Sequence, residues 1–204
     1  MEKFPKISEM VNLSGKRALV TGGGKGIGAA ISKRLVEAGA EVTIADMDPE
    51  IQEIANELSS SFALCDITVP EQLKAAVQQA ADGSSLDILV NNAGVYPPTG
   101  PIAEVSDDFV TKMLDLNVRA QYSASREAVN YMSSGGSIVN ISSIAALRGG
   151  ASITAYSTSK AAVIGLTKAF ANELGPKKIR VNAIAPGIID TEGLAEQGAA
   201  LKEG

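Results

Sequence analysis

The sequence predicts a doubly wound parallel α/β sheet of six strands, with helices covering both faces. Short apolar runs alternate regularly with longer segments of helical period along the 204 residues. The apolar runs show little alternation of apolar and polar residues, which is typical of strands buried on both faces. Because β and α segments alternate with short connections, we expect parallel strands side by side in one sheet, and a single domain over residues 1–204.

The predicted elements begin with a strand at residue 17. The strands are rich in Val, Ile, Leu and Ala, and they cover residues 17–21, 41–45, 61–65, 87–91, 136–141 and 179–184. In the first helix, Ile27, Ile31 and Leu35 recur at helical spacing, and Gly39 marks the end. Further helices are predicted over residues 49–59, 70–81, 106–132 and 154–174.

Composition and charge exclude several classes of protein. The chain has 18 Lys and Arg against 23 Asp and Glu, with no long basic run, which argues against nucleic-acid binding. It has no His, which excludes the nucleophile systems and the zinc or haem sites that need His. Cys65 is the only cysteine, so an intramolecular disulfide and a thiolate metal cage are excluded. We expect no bound metal, and we expect Cys65 to be a small buried apolar residue.

The sequence contains no predicted membrane segment. No apolar stretch reaches the ~18 residues of a membrane span, and no apolar region follows the first residues as it would in a signal peptide. We therefore expect a cytoplasmic protein without membrane attachment. Without His, any proton transfer must use Tyr, Lys, Asp or Glu.

A glycine-rich stretch, Thr21-Gly22-Gly23-Gly24-Lys25-Gly26-Ile27-Gly28, connects the first predicted strand to the first helix. Glycine there permits a tight turn and a close approach of the backbone to a pyrophosphate, while the helix N-terminus offers unpaired N–H groups. Asp46 follows at the end of the second predicted strand, where a carboxylate can bind the ribose hydroxyls of a dinucleotide. Together these features favour a dinucleotide site over a purely structural turn.

Further motifs follow in order along the chain. After Thr21-Gly22-x-x-x-Gly26-x-Gly28 come Asn91-Asn92-Ala93-Gly94, Ser143, Tyr156-x-x-x-Lys160 and Pro186-Gly187. This combination resembles the classical branch of the short-chain dehydrogenase/reductase family, including members such as 3-oxoacyl-[acyl-carrier-protein] reductases and sugar or alcohol dehydrogenases. The resemblance implies a Rossmann-type fold and an oxidoreductase that transfers a hydride between NAD(H) and a secondary alcohol or ketone. The cofactor-binding residues that it implies are Gly22, Gly24, Lys25, Gly26, Ile27, Gly28, Asp46, Asp66, Ile67, Asn92, Ala93, Gly94, Tyr156, Lys160, Pro186, Gly187, Ile189 and Thr191.

The choice between NAD and NADP depends on two of these residues. Asp46 would accept a hydrogen bond from a free 2′-hydroxyl and repel a 2′-phosphate, so it favours NAD. Lys25 resembles the basic residue that NADP-preferring relatives place in this loop, so NADP stays open. We favour NAD because a loop lysine can turn into water. Asp66 is predicted equally well as an adenine contact and as a turn residue.

Tyr156 and Lys160 form the predicted catalytic pair. Four residues apart on one helix, they lie on the same face, and an ammonium near a phenol lowers the phenol's pKa from its usual ~10. The resemblance implies that Tyr156 is the general acid/base and that Lys160 binds the nicotinamide ribose. It also implies that Ser143 polarises the substrate carbonyl and that Asn117 holds a water in a proton relay. The alternative for Asn117 is a buried amide satisfied by the backbone; Ser142 and Asn91 are expected to be structural.

Several questions stay open at this point. Relatives continue beyond the last motif with a further helix and a seventh strand that this sequence lacks, so a dinucleotide-binding protein without turnover is the alternative function. The resemblance implies a homodimer formed through helices 106–132 and 154–174, whereas a tetramer is left open. Substrate choice is expected to depend on residues 95–104 and 144–155, with Tyr96, Pro97, Pro98, Leu147 and Arg148 as candidates, and on the segment after Thr191.

Overall fold

The computed structural model of the chain describes residues 11–96 and 99–191. A six-stranded parallel sheet forms its centre, with the strand order β3-β2-β1-β4-β5-β6. The predicted doubly wound sheet is confirmed. The strands are β1 Arg17–Thr21, β2 Glu41–Asp46, β3 Ser61–Leu64, β4 Ile88–Asn91, β5 Ser137–Ile141 and β6 Arg180–Ile184.

Seven α-helices flank the sheet in the described residues. They are α1 Gly26–Glu37, α2 Ile51–Glu57, α3 Pro70–Ala81, α4 Asp107–Leu114, α5 Ala120–Ala128, α6 Ala145–Arg148 and α7 Thr154–Leu174. Short 3₁₀ turns cover Ile102–Glu104 and Gly175–Lys177. Within this part of the chain, no helix is long and apolar enough to cross a membrane.

The prediction of one continuous α-helix over residues 106–132 is wrong. The structure divides it into α4 and α5, separated by a π-helical turn over Asp115–Arg119, and α5 ends at Ala128. The amide of Ala120 donates to the carbonyl of Asp115, five residues back, which inserts one extra residue into the turn. Because the apolar pattern continues through this turn, the sequence did not indicate it.

The connection pattern creates a crevice at one edge of the sheet. β1 pairs with β2 on one side and with β4 on the other, so the chain reverses direction across the sheet between β3 and β4. Ligands of open α/β sheets bind outside the carboxyl ends of the strands at such a reversal. Thr21, the last residue of β1, pairs with Ala45 and Asn91 at this point.

Apolar side chains on the two faces of the sheet form two separate cores. Neighbouring strand residues point to opposite faces, so Leu19 packs in the core beside α3, α5 and α7, and Val20 in the core beside α1 and α2. Both side chains are fully buried. The sheet thereby holds the helices on each face in fixed positions relative to the strand ends.

Buried amide side chains connect the central strands to two helices. Asn91 Nδ2 on β4 donates to Asn140 Oδ1 on β5 at 2.8 Å and to Ser125 Oγ on α5 at 3.0 Å. Asn140 Nδ2 in turn donates to Thr167 Oγ1 on α7 at 2.9 Å. A buried donor without a partner is costly, so these bonds specify how α5 and α7 pack on the sheet.

Candidate active site

The chain between β1 and the start of α1 lies so close to the end of β4 that two of its positions cannot carry a side chain. Gly22 has a φ of +61°, and a Cβ on it would lie 2.7 Å from the Cα of Ala93. A Cβ on Gly28 would lie 2.0 Å from the carbonyl oxygen of Gly22. Both positions require glycine, and both line the cleft described below.

Asn92 fixes this loop against β4. Its Nδ2 donates to the carbonyl oxygen of Thr21 at 3.1 Å and to that of Gly22 at 2.8 Å. Thr21 Oγ1 accepts the backbone N–H groups of Asn92 at 3.1 Å and Ala93 at 3.2 Å. The side chain of Asn92 therefore holds the loop in place.

Asp46 ends β2 beside the same loop. Its Oδ2 accepts the N–H of Gly24 at 3.0 Å, and its Oδ1 accepts the N–H of Asp48 at 3.2 Å. Lys25 is paired with an acid, since its Nζ lies 2.6 Å from Asp48 Oδ2. The loop therefore brings a carboxylate and an ion pair to one end of the crevice.

A cleft of about 720 Å³ joins the segments that follow all six strands. It brings together most of the predicted site residues. They are Gly22, Lys25, Ile27, Gly28, Asp46, Asp66, Ile67, Asn92, Ala93, Gly94, Ser143, Tyr156, Lys160, Pro186, Gly187, Ile189 and Thr191. The cleft lining does not include Gly24, Gly26 or Asn117.

Tyr156 and Ser143 meet where the start of α7 faces the end of β5. A side-chain hydrogen bond joins them, and Ser143 Oγ also accepts the N–H of Ala145 at 3.1 Å. The ring of Tyr96 packs edge-on against Tyr156 with their centroids 4.6 Å apart. Burial raises the pKa of Tyr156 above its usual value, the hydrogen bond from Ser143 lowers this pKa, and the nearby Tyr96 raises it.

Lys160 lies one helical turn beyond Tyr156 and is only 4% exposed. Its Nζ donates to the carbonyl of Ile141 at 2.9 Å and lies 5.8 Å from the centroid of the Tyr156 ring. Burial lowers the pKa of Lys160 from 10.5 to about 8. In the protein chain by itself burial raises the pKa of Tyr156, and the expected lowering of that pKa by Lys160 stays a prediction.

The backbone of Lys160 is also fixed. Ser142 Oγ donates to its carbonyl at 2.8 Å, which ties α7 to the end of β5. This contact agrees with the structural role expected for Ser142. This contact also fixes where the neighbouring Ser143 lies relative to α7.

Asn117 is fully buried in the π-helical turn. Its Oδ1 accepts the N–H of Val95 at 3.0 Å, and its Nδ2 donates to the carbonyl of Val95 at 3.1 Å and to Ser159 Oγ at 3.1 Å. These are the contacts of the structural alternative, a buried amide satisfied by backbone. They hold the segment after β4 beside α7, and a Cβ on Gly94 would lie 2.8 Å from Asn117 Oδ1 and 3.3 Å from Lys160 Nζ.

The segment after β6 also borders the cleft. The carbonyl of Pro186 accepts the N–H of Ile144 at 3.0 Å. At the other end of the segment, Thr191 lies against the glycine loop, because a Cβ on Gly26 would meet its Cβ and Cγ2 at 3.4 Å. The predicted stretch from Pro186 to Thr191 therefore spans from the end of β5 to the start of α1.

Asp66 and Ile67 follow β3, and both line the cleft. Asp66 Oδ1 accepts the N–H of Thr68 at 2.9 Å and the hydroxyl of Thr68 at 2.7 Å. Asp66 thus stabilises a turn and also borders the cleft, as both of its predicted roles require. Cys65 is buried, as expected, and also lines the cleft.

The structure also decides which candidate substrate residues reach the cleft. Tyr96 and Arg148 line it. Leu147 is 71% exposed and does not line it, and Pro97 and Pro98 lie outside the described residues. Val95, Ala145 and Ile153 also line the cleft and fall within the expected ranges 95–104 and 144–155, whereas sequence reasoning missed Met47, Leu116, Ile141 and Ile188. The only signal for most of the missed residues is their position at or just after the end of a strand.

Metal chemistry has no visible support in the described residues. Across residues 11–96 and 99–191, no group of three or more His, Cys, Asp or Glu side chains is arranged to hold a metal ion. The chemical groups that line the cleft include a phenol, a hydroxyl and an ammonium, together with the carboxylates of Asp46 and Asp66 and the guanidinium of Arg148.

Known proteins are similar to this chain in sequence and in fold. The family described as short chain dehydrogenase matches residues 16–202. The chain is 38% identical over 190 residues to a 3-oxoacyl-[acyl-carrier-protein] reductase FabG of Chlamydia muridarum, covering 88% of this chain and 76% of the relative. It is 40% identical over 190 residues to (+)-borneol dehydrogenase 2 of Salvia officinalis, covering 89% of this chain and 67% of the relative.

A solved relative agrees at the level of the fold. A short chain dehydrogenase from Burkholderia cenocepacia J2315, crystallised in complex with NADP, superposes with a TM-score of 0.85 at 40% identity, covering 89% of this chain and 78% of the relative. The extent of these matches shows the family. The chain belongs to the short chain dehydrogenases, NAD(P)-dependent oxidoreductases that act on CH–OH groups.

Proposed function

We propose that this chain reduces a ketone, or oxidises the matching secondary alcohol, with NAD(H) as the cofactor and Tyr156 as the general acid/base. One observation carries the proposal: Tyr156 is hydrogen-bonded to Ser143 inside the same cleft that the glycine loop borders. A nicotinamide cofactor supplies the hydride or accepts it at C4 when bound. We further propose that residues 1–204 belong to one NAD(P)-binding domain.

The glycine loop has the features that a dinucleotide pyrophosphate requires. Gly22 and Gly28 leave backbone where side chains would otherwise stand. The first turn of α1 contains no acidic residue, so the positive end of the helix dipole faces the cleft unopposed by its own side chains. These features support the cofactor-binding role of Gly22 and Gly28, whereas the same role for Gly24 and Gly26 stays a prediction.

Tyr156 is suited to give a proton to a carbonyl oxygen. Its pKa is raised by burial, so the phenol keeps its proton at neutral pH. Ser143 bonds to it, and the N–H of Ala145 donates to the Ser143 oxygen, which fixes this hydroxyl beside Tyr156. A positioned acid of this kind contributes about 10²- to 10⁴-fold to a rate.

Lys160 places positive charge beneath Tyr156. With a pKa of about 8 it is an ammonium at neutral pH, and one of its three N–H donors is used by the carbonyl of Ile141. The remaining donors are available to the ribose hydroxyls of the cofactor and to a developing phenolate. Asn117 supports Lys160 indirectly, by holding the Val95 segment beside it.

A dinucleotide-binding protein without turnover is the competing function. Binding alone requires the glycine loop and Asp46, whereas it gives no reason for Ser143, Tyr156 and Lys160 to converge. Their convergence on one cleft favours an enzyme. For the substrate, the lining of Tyr96, Ile144, Ile153 and Ile188 favours an apolar body around the reacting carbon.

NAD is the cofactor that the loop favours. Asp46 presents its carboxylate where an adenosine ribose would lie, so a 2′-phosphate would meet a negative charge. Lys25, which could offset that charge, is engaged by Asp48. The Burkholderia cenocepacia relative was crystallised with NADP, which makes NADP the competing cofactor.

We also propose a homodimer formed through α4, α5 and α7. Tyr122 on α5 is 48% exposed and packs on Phe170 of α7, with ring centroids 5.0 Å apart. Leu114 on α4 is 36% exposed as well. Aromatic and aliphatic side chains at the surface of adjoining helices favour burial against a second copy.

Tyr156→Phe tests the proposed reaction. We expect kcat to fall by about 10²- to 10⁴-fold while the Kd for NADH changes little, because only the hydroxyl that moves the proton is lost. Steady-state assays at 340 nm and NADH fluorescence titration measure the two quantities. Tyr131→Phe, which removes a hydroxyl far from the cleft, serves as the control, and a variant of Tyr156 with normal kcat contradicts the assignment.

Asp46→Ala tests the cofactor. We expect the wild type to have a higher kcat/KM with NAD than with NADP, and the variant to lose that preference because the repulsive carboxylate is gone. Assays with both cofactors at equal substrate concentration measure this preference in the wild type and in the variant. A wild-type preference for NADP would overturn this part of the proposal.

Lys160→Met tests the burial of the lysine. The folded-state pKa of about 8 lies below the unfolded value of 10.5, so between these values the unfolded state binds more protons and stability rises with pH. We expect the stability of the wild type relative to the variant to increase by about 2 kcal/mol from about pH 7.5 to about pH 9.5. Urea unfolding at both pH values measures it, and a constant difference contradicts it.

Light scattering tests the dimer. We expect twice the chain mass for the wild type and a lower mass for Tyr122→Glu, since a carboxylate would be buried in the interface. Tyr131→Phe again provides the control. A monomeric wild type at all concentrations contradicts the proposed interface.

A further inference from the structure

Lys25 lines the cleft at the end where we expect the adenosine of the cofactor. Its ammonium is also paired with acidic side chains. Its Nζ lies 2.6 Å from Asp48 Oδ2 and 3.9 Å from Glu50 Oε2. Both Lys25 and Asp46 line the cleft. Any phosphate on the 2′ position of the adenosine ribose would therefore approach an ammonium that already has an acidic partner.

Backbone amides hold the acidic partner in position. The N–H of Glu50 donates to Asp48 Oδ1 at 3.0 Å, which leaves Oδ2 for Lys25. The backbone N–H of Asp48 donates to Asp46 Oδ1 at 3.2 Å, so the Asp46 side chain also fixes the backbone of the turn that carries Asp48. The geometry of this turn, rather than chance contact between two long side chains, sets where Asp48 meets Lys25.

The charges at this end of the cleft oppose a second phosphate. Asp48 and Glu50 contribute two carboxylates to the single ammonium of Lys25, and Asp46 adds a third negative charge to the lining of the cleft. The hydrogen bond from Lys25 lowers the pKa of the Asp48 carboxyl, so this pair stays charged at neutral pH. A 2′-phosphate would have to replace Asp48 as the partner of Lys25 while remaining beside the displaced carboxylate.

We propose that Asp48 is a second cofactor-specificity residue, which acts through Lys25 by occupying the ammonium that would otherwise bind a 2′-phosphate. The inference rests on the proposed preference for NAD and extends it. Asp46 acts on the ribose directly, whereas Asp48 removes the compensating charge. A basic residue in the glycine loop therefore does not by itself indicate NADP in this chain.

Asp48→Asn tests the inference through binding alone. Isothermal titration with 2′,5′-ADP, which carries one phosphate at each of the 2′ and 5′ positions, reports binding of a 2′-phosphate, and titration with ADP, which has no 2′-phosphate, reports binding of the adenosine and its 5′-phosphates. We expect the variant to bind 2′,5′-ADP about fivefold more tightly than the wild type, with ADP binding unchanged, because an exposed charge pair of this length is worth a factor of this size. Retained ADP binding also shows that the variant is folded.

A double-mutant cycle separates the proposed route from simple repulsion. If Asp48 acts through Lys25, the gain disappears when Asp48→Asn is made in a Lys25→Met background. Glu41→Gln is the matched control, because it removes a carboxylate paired with Arg17 at the opposite end of β2 and is expected to leave both affinities unchanged.

The outcomes distinguish this inference from the proposed function. An Asp48→Asn variant that binds ADP normally and 2′,5′-ADP no more tightly than the wild type overturns the inference alone. A gain that persists without Lys25 also overturns it, because Asp48 would then act by direct repulsion. A wild type that binds neither nucleotide overturns the inference together with the proposed function.

Discussion

The side-chain amide of Asn92 is the contact on which the arrangement of the cleft depends. It donates to the carbonyl oxygens of Thr21 and Gly22, which joins the end of β4 to the first turn of the glycine loop. The joint is so close that Gly22 and Gly28 cannot carry a Cβ without a clash. Two residues further along, Gly94 is packed equally closely against Asn117 and Lys160. One short segment after β4 therefore sets the distance between the glycine loop and Lys160.

Burial of polar groups is the second feature on which the arrangement of the cleft depends. Asn117, Asn140 and Lys160 are all almost inaccessible to water, and each has partners that satisfy it. In Lys160 this burial lowers the pKa to about 8, so the same packing that positions the ammonium also brings its titration near the pH at which enzymes work. Structure and proton chemistry are coupled here through desolvation.

Periodicity and motif spacing predicted the sheet, α3 and α7, because each covers a continuous run with one apolar pattern. The π-helical turn around Asn117 could not be predicted, since one inserted residue leaves no trace in a continuing pattern. Contacts across long sequence separations were equally hidden. One partner of Asn117 is Val95, 22 residues away, and nothing local indicates this contact.

The same distinction applies to electrostatics. The sequence shows that Tyr156 and Lys160 share a helix face, and the spacing suggests a lowered phenol pKa. Whether it is lowered depends on burial, which only the folded chain defines, and burial of Tyr156 has the opposite effect. Likewise, the sequence does not show that Lys25 is paired with an acid. The turn after β2 brings Asp48 to it only in the folded chain.

A crystal structure of the chain with NAD and a substrate analogue tests the central claim most directly. We expect the adenosine ribose to hydrogen-bond to Asp46, the pyrophosphate to lie over the glycine loop, and the nicotinamide to reach the Tyr156–Ser143 pair, with the analogue's oxygen about 3 Å from the tyrosine hydroxyl. A dinucleotide bound outside this cleft, or with its adenosine at Tyr156, would contradict the claim.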